Sequence, residues 1–174
     1  EQMQLTVEQV DALTGTVMGR PKSATYRTAD LVGLDTLALV AGTSYEKAVN
    51  DEARELFEIP PVLASLLERK ALGQKTGAGF YKKEGKEILA LDFASMDYRP
   101  SRKVRMDGIG VARRYTDLRK KIHALVYNPD PAGTFAWELT IRTLAYAARR
   151  IGEIADDIVN IDNAMKWGFG WQLG

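Results

Sequence analysis

The chain has 174 residues, 45% of them hydrophobic, which is enough to bury one core or two small ones without disulfides or a metal. It has no cysteine and one histidine, so a thiol nucleophile and a zinc cluster of the usual ligands are excluded. The net charge is +1, and no apolar run approaches the roughly 20 residues that span a bilayer. These totals predict a cytoplasmic protein without membrane contact. The opening glutamate and the apolar closing stretch "WGFGWQLG" predict a piece of a longer protein.

The first predicted helix begins at residue 7. The stretch "TVEQ" matches a capping box, in which the Thr6 hydroxyl and the Gln9 side chain satisfy backbone groups at the helix start. Gly19 and Pro21 are expected to end this helix. Its apolar side consists of Val7, Val10, Leu13 and Val17.

Further helices are predicted before the glycine-rich part of the chain. Pro21 suits the first turn of a second helix, and Gly33 can end it in the left-handed conformation that costs glycine little. Asp35 is a plausible cap for a third helix. The helical pattern runs from Ser44 to Lys70, breaks at "IPP", whose prolines can only open a new helix, and is closed by Gly73.

The stretch "GQKTGAGFYKKEGKEILALD", from residue 73 to residue 92, has a different character. Short apolar runs on either side of Glu84 and Gly85 predict a small β-hairpin near residues 78–92. Lys75 among glycines invites comparison with a phosphate loop, but this lysine precedes the second glycine and aromatic residues follow, so the Walker spacing is absent. The chain also has no Gly-x-Gly-x-x-Gly, the dinucleotide-binding loop.

A basic block at residues 99–121 holds nine Lys or Arg and only two acidic residues, Asp107 and Asp117. Such a block attracts phosphate, whether of a nucleic acid or of a nucleotide-like ligand. One helix over residues 108–127 with the basic residues on its solvent side is the favoured interpretation, because charged helix faces usually need no ligand. The apolar seam of that helix is expected at Val111, Tyr115, Leu118, Ile122 and Leu125.

No reaction centre is visible in the rest of the sequence, which predicts helices at residues 133–150 and 154–167. His123 has no acidic or hydroxyl partner nearby in sequence, so a surface or structural role is favoured over that of a catalytic base. Asp156 and Asp157 are neighbours, which places them on different sides of a helix. A helically spaced row is interpreted as core rather than as a cofactor contact: Trp137, Ile141, Leu144 and Ala148.

A weak internal repeat has an offset of 151 residues. It aligns Val7-x-x-Val10-Asp11 with Ile158-x-x-Ile161-Asp162 and, without a gap, Gly19 with Gly170. The matches are few, but they indicate two related helical units, of which the second stops early.

Two segments, "VDALTGTVMGRPKSATYRTADLVGLD" and "LGQKTGAGFYKK", strongly resemble the C-terminal helical region of 3-hydroxyacyl-CoA dehydrogenases. "IDNAMKWGFGWQLG" is similar to the degenerate second copy of that region in long, two-copy bacterial β-oxidation proteins. The resemblance covers nearly the whole chain. It implies an all-α fold, a helical bundle like the C-terminal domain of 6-phosphogluconate dehydrogenase, with the small hairpin added. It also implies a first domain at residues 1–92, truncated at its N-terminus, and a connector at residues 93–107. A second copy, truncated at its C-terminus, is expected at residues 108–174.

In that family an N-terminal Rossmann domain binds NAD and supplies a His-Glu pair, and the resemblance implies that this domain is missing here. NAD-dependent oxidation of 3-hydroxyacyl-CoA is therefore expected of the parent protein and not of this piece alone. The family's catalytic Asn, in Gly-x-x-x-Asn-Arg, falls before residue 1 in the first copy. In the second copy the matching residues are Gly133, Trp137 and Glu138. Indole cannot accept a hydrogen bond, so the second copy is expected to be structural.

The resemblance implies that Gly19 to Ser23 form a wall beside the acyl-CoA cleft, with the backbone fitting closely at the glycine. Catalytic, cofactor-binding and metal-binding residues are not expected in this chain. The expected partners are acyl-CoA, the Rossmann domain of the parent chain and a second copy, with no nucleic acid. A helical assembly or dimerisation module without ligand contact is the alternative, and nucleic-acid binding through residues 99–121 ranks last. The candidate substrate-binding residues are Gly19, Arg20, Pro21, Lys22, Ser23 and Lys75.

Overall fold

The computed structural model describes residues 3–174. Within them the chain is mostly helical and carries one small antiparallel sheet. The helices are α1 (Val7–Thr14), α2 (Tyr26–Val32), α3 (Leu34–Lys47), α4 (Pro61–Glu68), α5 (Asp107–Ala112), α6 (Leu118–Val126), α7 (Pro131–Arg149) and α8 (Ile158–Phe169). Short 3-10 helices lie at Thr16–Met18, Arg54–Phe57 and Gln74–Thr76, and the strands are β1 (Tyr81–Glu84), β2 (Glu87–Leu91) and β3 (Tyr98–Pro100).

The chain divides into two compact units, each with its own apolar core. The sheet unit consists of Thr6–Glu8 and Thr25–Arg102, and the helical unit contains residues 9–24 and 103–174. Among residues 3–174, no helix is both long enough and apolar enough to cross a bilayer.

The core of the sheet unit lies between its helices and the hairpin. The hairpin predicted near residues 78–92 is confirmed: β1 pairs with β2 from Tyr81 opposite Ala90 to Glu84 opposite Glu87. Gly85, in the turn, has a φ of 60°, a value that glycine adopts at little cost. The predicted all-α fold therefore needs a correction, since β3 adds a third strand inside the expected connector. The buried core residues are Val7, Ala29, Leu34, Leu63, Leu66, Ala71, Phe80 and Leu91.

Several predicted helix ends are wrong in the first third of the chain. The first helix starts at residue 7 as predicted, but it ends at Thr14 and is followed by the 3-10 turn Thr16–Met18. The second begins at Tyr26 rather than at Pro21, because Ala24 has a φ of 55° and interrupts the helical backbone.

The expected glycine and aspartate caps also differ from the structure. Gly33 follows the last residue of α2, with φ of 101° and ψ of 128°, which is outside the left-handed helical region. Asp35 is already inside α3, so it is not the cap. Pro61 opens α4 as predicted, but α4 ends at Glu68, before a Lys70 whose φ is 56°. Gly73 therefore does not close that helix.

The helical unit also departs from its prediction at several places. The single helix expected over residues 108–127 is divided into α5 and α6, and Tyr115 between them is 42% exposed rather than part of a seam. Asp117 starts α6, because its Oδ1 accepts a hydrogen bond from the Lys120 backbone N–H at 2.9 Å. The buried core residues are Leu13, Val17, Met18, Ile109, Ala112, Leu125, Ala132 and Ala136.

α7 begins two residues before its expected start, and α8 begins four residues after its expected start. Asp130 caps α7 through the Gly133 N–H, and Asp157 caps α8 through the Asn160 N–H, each at 2.9 Å. The prediction that one row of α7 belongs to the core is wrong, because all four of its residues are exposed: Trp137, Ile141, Leu144 and Ala148.

A buried ion pair ties the start of α1 to β3 inside the sheet unit. Arg99 donates from both terminal nitrogens to the Glu8 carboxylate, at 2.7 and 3.1 Å, and Glu8 Oε1 also accepts from the Arg102 N–H at 2.8 Å. The Arg99 side chain is only 14% exposed, so it is not part of a solvated basic face as the sequence suggested. Burial opposes ionisation of Glu8, but the hydrogen bonds from Arg99 and Arg102 outweigh it and lower the pKa of Glu8 to about 2.

Replacing this carboxylate with an amide tests the pair. A folded-state pKa below the ordinary value of 4.5 stabilises the fold above pH 4.5, and the stabilisation is lost as the pH falls toward 2. We expect Glu8→Gln to lower the free energy of unfolding by about 3 kcal/mol near pH 7, because Arg99 loses its charged partner. Urea unfolding followed by circular dichroism between about pH 7 and pH 3 should show a flatter pH dependence for Glu8→Gln than for the wild type.

Glu84→Gln is the matched control, since Glu84 forms an exposed pair with Lys82 at 3.4 Å. Its loss should cost less than about 1 kcal/mol. Equal effects of the two substitutions would contradict a special role for the Glu8 pair.

Candidate functional site

The predicted substrate-binding stretch begins with a glycine that the structure requires. Gly19 ends the 3-10 turn Thr16–Met18 in the left-handed conformation, with φ of 69° and ψ of 26°. A Cβ on Gly19 would lie 2.6 Å from Cδ2 of Leu118, at the start of α6. Glycine is therefore needed for two reasons, the backbone conformation and the close approach of a core side chain. This close approach is made by Leu118, and the expected close fit of Gly19 to acyl-CoA stays a prediction.

Arg20 packs against the last part of the chain. Its guanidinium carbon lies 3.9 Å from the centroid of the Trp171 ring, within the range of a cation–π interaction. Burial lowers the pKa of the Arg20 guanidinium. Arg20 thus stacks on an indole and is half-buried. Lys22, the other cation of the stretch, is exposed.

The remaining residues of the stretch form a turn. The Pro21 carbonyl accepts a hydrogen bond from the Ala24 N–H at 2.9 Å, and Ala24 has a positive φ of 55°. Pro21 and Lys22 are exposed, while Ser23 is half-buried. Lys22 is therefore the cation of this turn that solvent and a ligand can reach.

The two glycine loops of the internal repeat pair with each other, within the helical unit. Gln172 donates its backbone N–H to the Gly19 carbonyl at 2.8 Å, and a Cβ on Gly170 would sit 3.7 Å from Pro21. Together with the contact of Arg20 and Trp171, the pairing runs 19 with 172, 20 with 171 and 21 with 170. If each residue of a pair is replaced by its equivalent 151 positions away, the same three pairs result. A two-fold axis produces this relation.

The backbone supports the same relation. Gly170 ends α8 with φ of 66° and ψ of 27°, nearly the same values as those of Gly19. The helices that carry the repeat start at Val7 and at Ile158, again 151 residues apart. We call this contact, residues 19–21 with residues 170–172, the loop pair.

A double-mutant cycle measures the strength of the loop pair. We expect Arg20→Ala and Trp171→Ala to show a coupling energy of about 1 kcal/mol in urea unfolding, because each removes the same cation–π contact. A parallel cycle of Arg20→Ala with Trp167→Ala is the control, since Trp167 is 81% exposed on α8. Its coupling should be zero, and a coupling as large as that with Trp171 would reject the assigned contact.

Lys75, the remaining predicted substrate contact, belongs to the sheet unit and is engaged there. Its ammonium lies 2.6 and 2.7 Å from the two carboxylate oxygens of Asp35, over the backbone of Gly33. The hydrogen bond from Lys75 is the main cause of a lowered pKa of Asp35. Both side chains are about half exposed, so a ligand can reach Lys75 by displacing Asp35.

The glycines around Lys75 are explained by a buried carboxylate that sequence reasoning missed. Asp30, on α2, accepts hydrogen bonds from the backbone N–H groups of Phe80 and Tyr81, both at 2.8 Å. Cβ atoms on Gly73 and Gly79 would lie 2.3 and 2.1 Å from Asp30 atoms, so neither position has room for one. The glycine-rich motif thus lets the chain wrap around the Asp30 carboxylate.

Tyr98 completes this arrangement. Its hydroxyl donates to the Gly79 carbonyl at 2.7 Å. Burial, followed by the negative charge of Asp30, raises the pKa of Tyr98, so the hydroxyl stays protonated as the donor.

Gly79→Ala is expected to destabilise the chain by about 2 kcal/mol or more, because a methyl group would displace the Asp30 carboxylate from its two N–H donors. Thermal and urea unfolding measure the change. Gly42→Ala is the control: Gly42 lies within α3 with open space at its Cβ position. That substitution should stabilise the chain by about 0.5–1 kcal/mol, and a loss as large as that of Gly79→Ala would contradict the argument.

Trp137, which the resemblance aligns with the family's catalytic Asn, lies on the surface. Trp137 is 41% exposed, and its ring centroid lies 5.6 Å from that of Tyr127. Tyr127 in turn lies 4.6 Å from the ring of His123, which is exposed as expected. These three side chains form an aromatic row along α6 and α7.

Comparison with known proteins agrees with the motifs. Residues 1–83 match the family model described as 3-hydroxyacyl-CoA dehydrogenase, C-terminal domain. This part of the chain is therefore similar to that family. The Gly19 turn and the glycines around Asp30 both lie inside the match, so the resemblance inferred from the two motifs is confirmed.

Related proteins extend the similarity beyond the C-terminal dehydrogenase domain. The chain is 49% identical, over 97% of its length, to a probable 3-hydroxyacyl-CoA dehydrogenase of Bacillus subtilis. It is 25% identical, over 95% of its length, to a putative fatty acid oxidation complex trifunctional enzyme of Rickettsia felis. A probable 3-hydroxyacyl-CoA dehydrogenase of Deinococcus radiodurans is 42% identical over 48% of the chain. The chain spans 21%, 22% and 23% of these three relatives, and no solved structure matches it significantly.

Proposed function

We propose that this chain is the C-terminal helical region of an NAD-dependent 3-hydroxyacyl-CoA dehydrogenase. The parent protein would oxidise 3-hydroxyacyl-CoA to 3-oxoacyl-CoA in fatty acid β-oxidation, and this region would contribute the acyl-CoA cleft and contacts between domains. The match of residues 1–83 to the family model carries the proposal. The similarity of the whole chain to the dehydrogenase of Bacillus subtilis supports it.

The residues of this chain do not fit the cofactor NAD. Gly73 and Gly79, two of the three glycines in residues 73–79, pack against Asp30 rather than open a helix toward a pyrophosphate. We therefore place NAD on a Rossmann domain elsewhere in the parent protein, and no step of the reaction is derived from residues of this chain. A cytoplasmic location and a fold like the C-terminal domain of 6-phosphogluconate dehydrogenase belong to the same proposal.

The turn from Gly19 to Ser23 is the proposed edge of the acyl-CoA cleft. Its backbone is fixed by Gly19 and by the stacking of Arg20 on Trp171, so Lys22 projects from a rigid base. An exposed ammonium in that place suits a thioester oxygen or a phosphate. Lys75 is the weaker candidate, since a ligand must compete with Asp35 for it.

The second half of the chain is proposed to be the start of a degenerate second copy, after a first domain at residues 1–92 and a connector at residues 93–107. The self-mapping contacts of the loop pair and the matched dihedral angles of Gly19 and Gly170 support the duplication. Trp137, in place of the family's Asn, is consistent with a copy that no longer takes part in catalysis. In a two-copy protein such a copy would take the place of a dimer partner.

An acyl-CoA titration tests the cleft. Isothermal titration calorimetry with acetoacetyl-CoA should show saturable binding to the 174-residue chain, weakened roughly tenfold by Lys22→Glu, since one charge-assisted hydrogen bond is lost. Lys86→Glu, on the exposed hairpin turn, makes the same charge change away from the site and should leave binding unchanged. The chain should show no NAD-dependent oxidation of 3-hydroxybutyryl-CoA, and turnover by it alone would reject the assignment of chemistry to another domain.

The alternative is a helical assembly or dimerisation module that does not touch substrate. It predicts no binding of acetoacetyl-CoA, together with self-association that sedimentation velocity detects as a concentration-dependent mass. The exposed apolar side chains of α7 and α8 favour such association. Equal binding by the wild type and Lys22→Glu would also remove the turn from the cleft.

A further inference from the structure

The helical unit has a cavity that the dehydrogenase proposal does not use. It has a volume of about 570 Å³ and lies beside α5 and α6 and the turn that follows α6. It is widely open to solvent, so it is a surface groove that would cover a ligand only in part. Its described lining consists of Val111, Tyr115, Arg119, Lys120, His123, Ala124, Tyr127, Asn128 and Pro129.

The cavity is cationic. Arg119 and Lys120 line it and are exposed, and none of its nine described lining residues is acidic. The acidic residues that flank α6 in sequence already accept backbone N–H groups. Asp117 accepts from Lys120, and Asp130 accepts from Gly108 and Gly133, all at 2.9 Å. A phosphate brought to Arg119 and Lys120 therefore meets two cations that no carboxylate in the lining neutralises.

The cavity is also aromatic. Tyr115, His123 and Tyr127 line it, and all three rings are exposed. The ring of Tyr127 lies between those of His123 and Trp137, with centroids 4.6 and 5.6 Å away. Such rings offer a stacking surface for a planar heterocycle, and this surface accepts any base because every base has a π face.

We propose that this cavity binds a nucleoside diphosphate group, with the base stacked on the rings that line it, Tyr115, His123 and Tyr127, and the phosphates on Arg119 and Lys120. The group can come from a free adenine nucleotide or from the nucleotide part of a coenzyme A ester. The site does not depend on the proposed cleft at residues 19–23, since none of those residues lines it. The proposal assigns a ligand to the second half of the chain, in which Trp137 stands at the position aligned with the family's catalytic Asn.

Isothermal titration calorimetry of the 174-residue chain with ADP tests the site, with pyrophosphate, adenosine and coenzyme A as separate arms. We expect saturable binding of ADP, about tenfold tighter than that of pyrophosphate or adenosine, because both halves of the ligand are recognised. Tighter binding of coenzyme A than of ADP that Lys22→Glu leaves unchanged would identify the coenzyme A nucleotide as the source, and the reverse order of affinities would identify the free nucleotide. Either result supports the site.

Two variants separate the parts of the site. The double substitution Arg119→Glu and Lys120→Glu should weaken ADP binding more than about tenfold, and Tyr127→Ala should bring ADP close to the affinity of pyrophosphate. The control combines substitutions of two lysines of the sheet unit, Lys83→Glu and Lys86→Glu, which make the same charge change and should have no effect. Circular dichroism melting checks that each variant is folded.

Three results would overturn the proposal. They are the absence of ADP binding, equal affinity for ADP and pyrophosphate, and ADP binding that the double substitution leaves unchanged. Strong, steeply salt-dependent binding of a single-stranded RNA without measurable ADP binding would instead assign the basic residues to a nucleic-acid surface.

Discussion

The sheet unit depends on one buried carboxylate. Asp30 turns its two oxygens toward the N–H groups of Phe80 and Tyr81; Gly79 leaves room for this carboxylate, and Gly73 leaves room for the Asp30 backbone. A buried carboxylate that accepts two backbone hydrogen bonds is stable where the same group left unpaired would cost several kcal/mol. The contact fixes the hairpin onto α2 and places Phe80 among the aromatic rings of Tyr26 and Phe93. The fold thus explains the glycine motif without a phosphate ligand.

The helical unit has its own organising contact in the loop pair. Two turns at equivalent positions of the repeat pair with each other in antiparallel order. Their glycines have nearly identical dihedral angles, and Arg20 stacks on Trp171 at the centre of the contact. A duplicated segment that meets its own copy produces such self-mapping contacts, for the same reason that identical subunits form isologous dimers. The geometry of the loop pair therefore supports the weak sequence repeat.

The two proposed ligand sites use different chemistry. The turn at residues 19–23 offers one exposed ammonium, Lys22, on a fixed backbone, whereas the cavity beside α6 combines two cations with an aromatic row. Trp137 lies next to the second site, and its ring centroid is 5.6 Å from that of Tyr127.

Local sequence by itself determined the helical character of most of the chain, the hairpin at residues 81–91 and the resemblance of residues 1–83 to the dehydrogenase family. These features depend on short-range periodicity, on proline and glycine conformations, and on motifs that stay together in sequence. Tertiary structure alone decided the helix ends at Thr14 and Ala112, the exposure of Trp137, and the contacts of Glu8 with Arg99, Asp30 with Phe80 and Arg20 with Trp171. The partners in these contacts lie 50 to 151 residues apart, and no local pattern records which distant backbone or ring a given charge will meet, because that depends on how the whole chain packs.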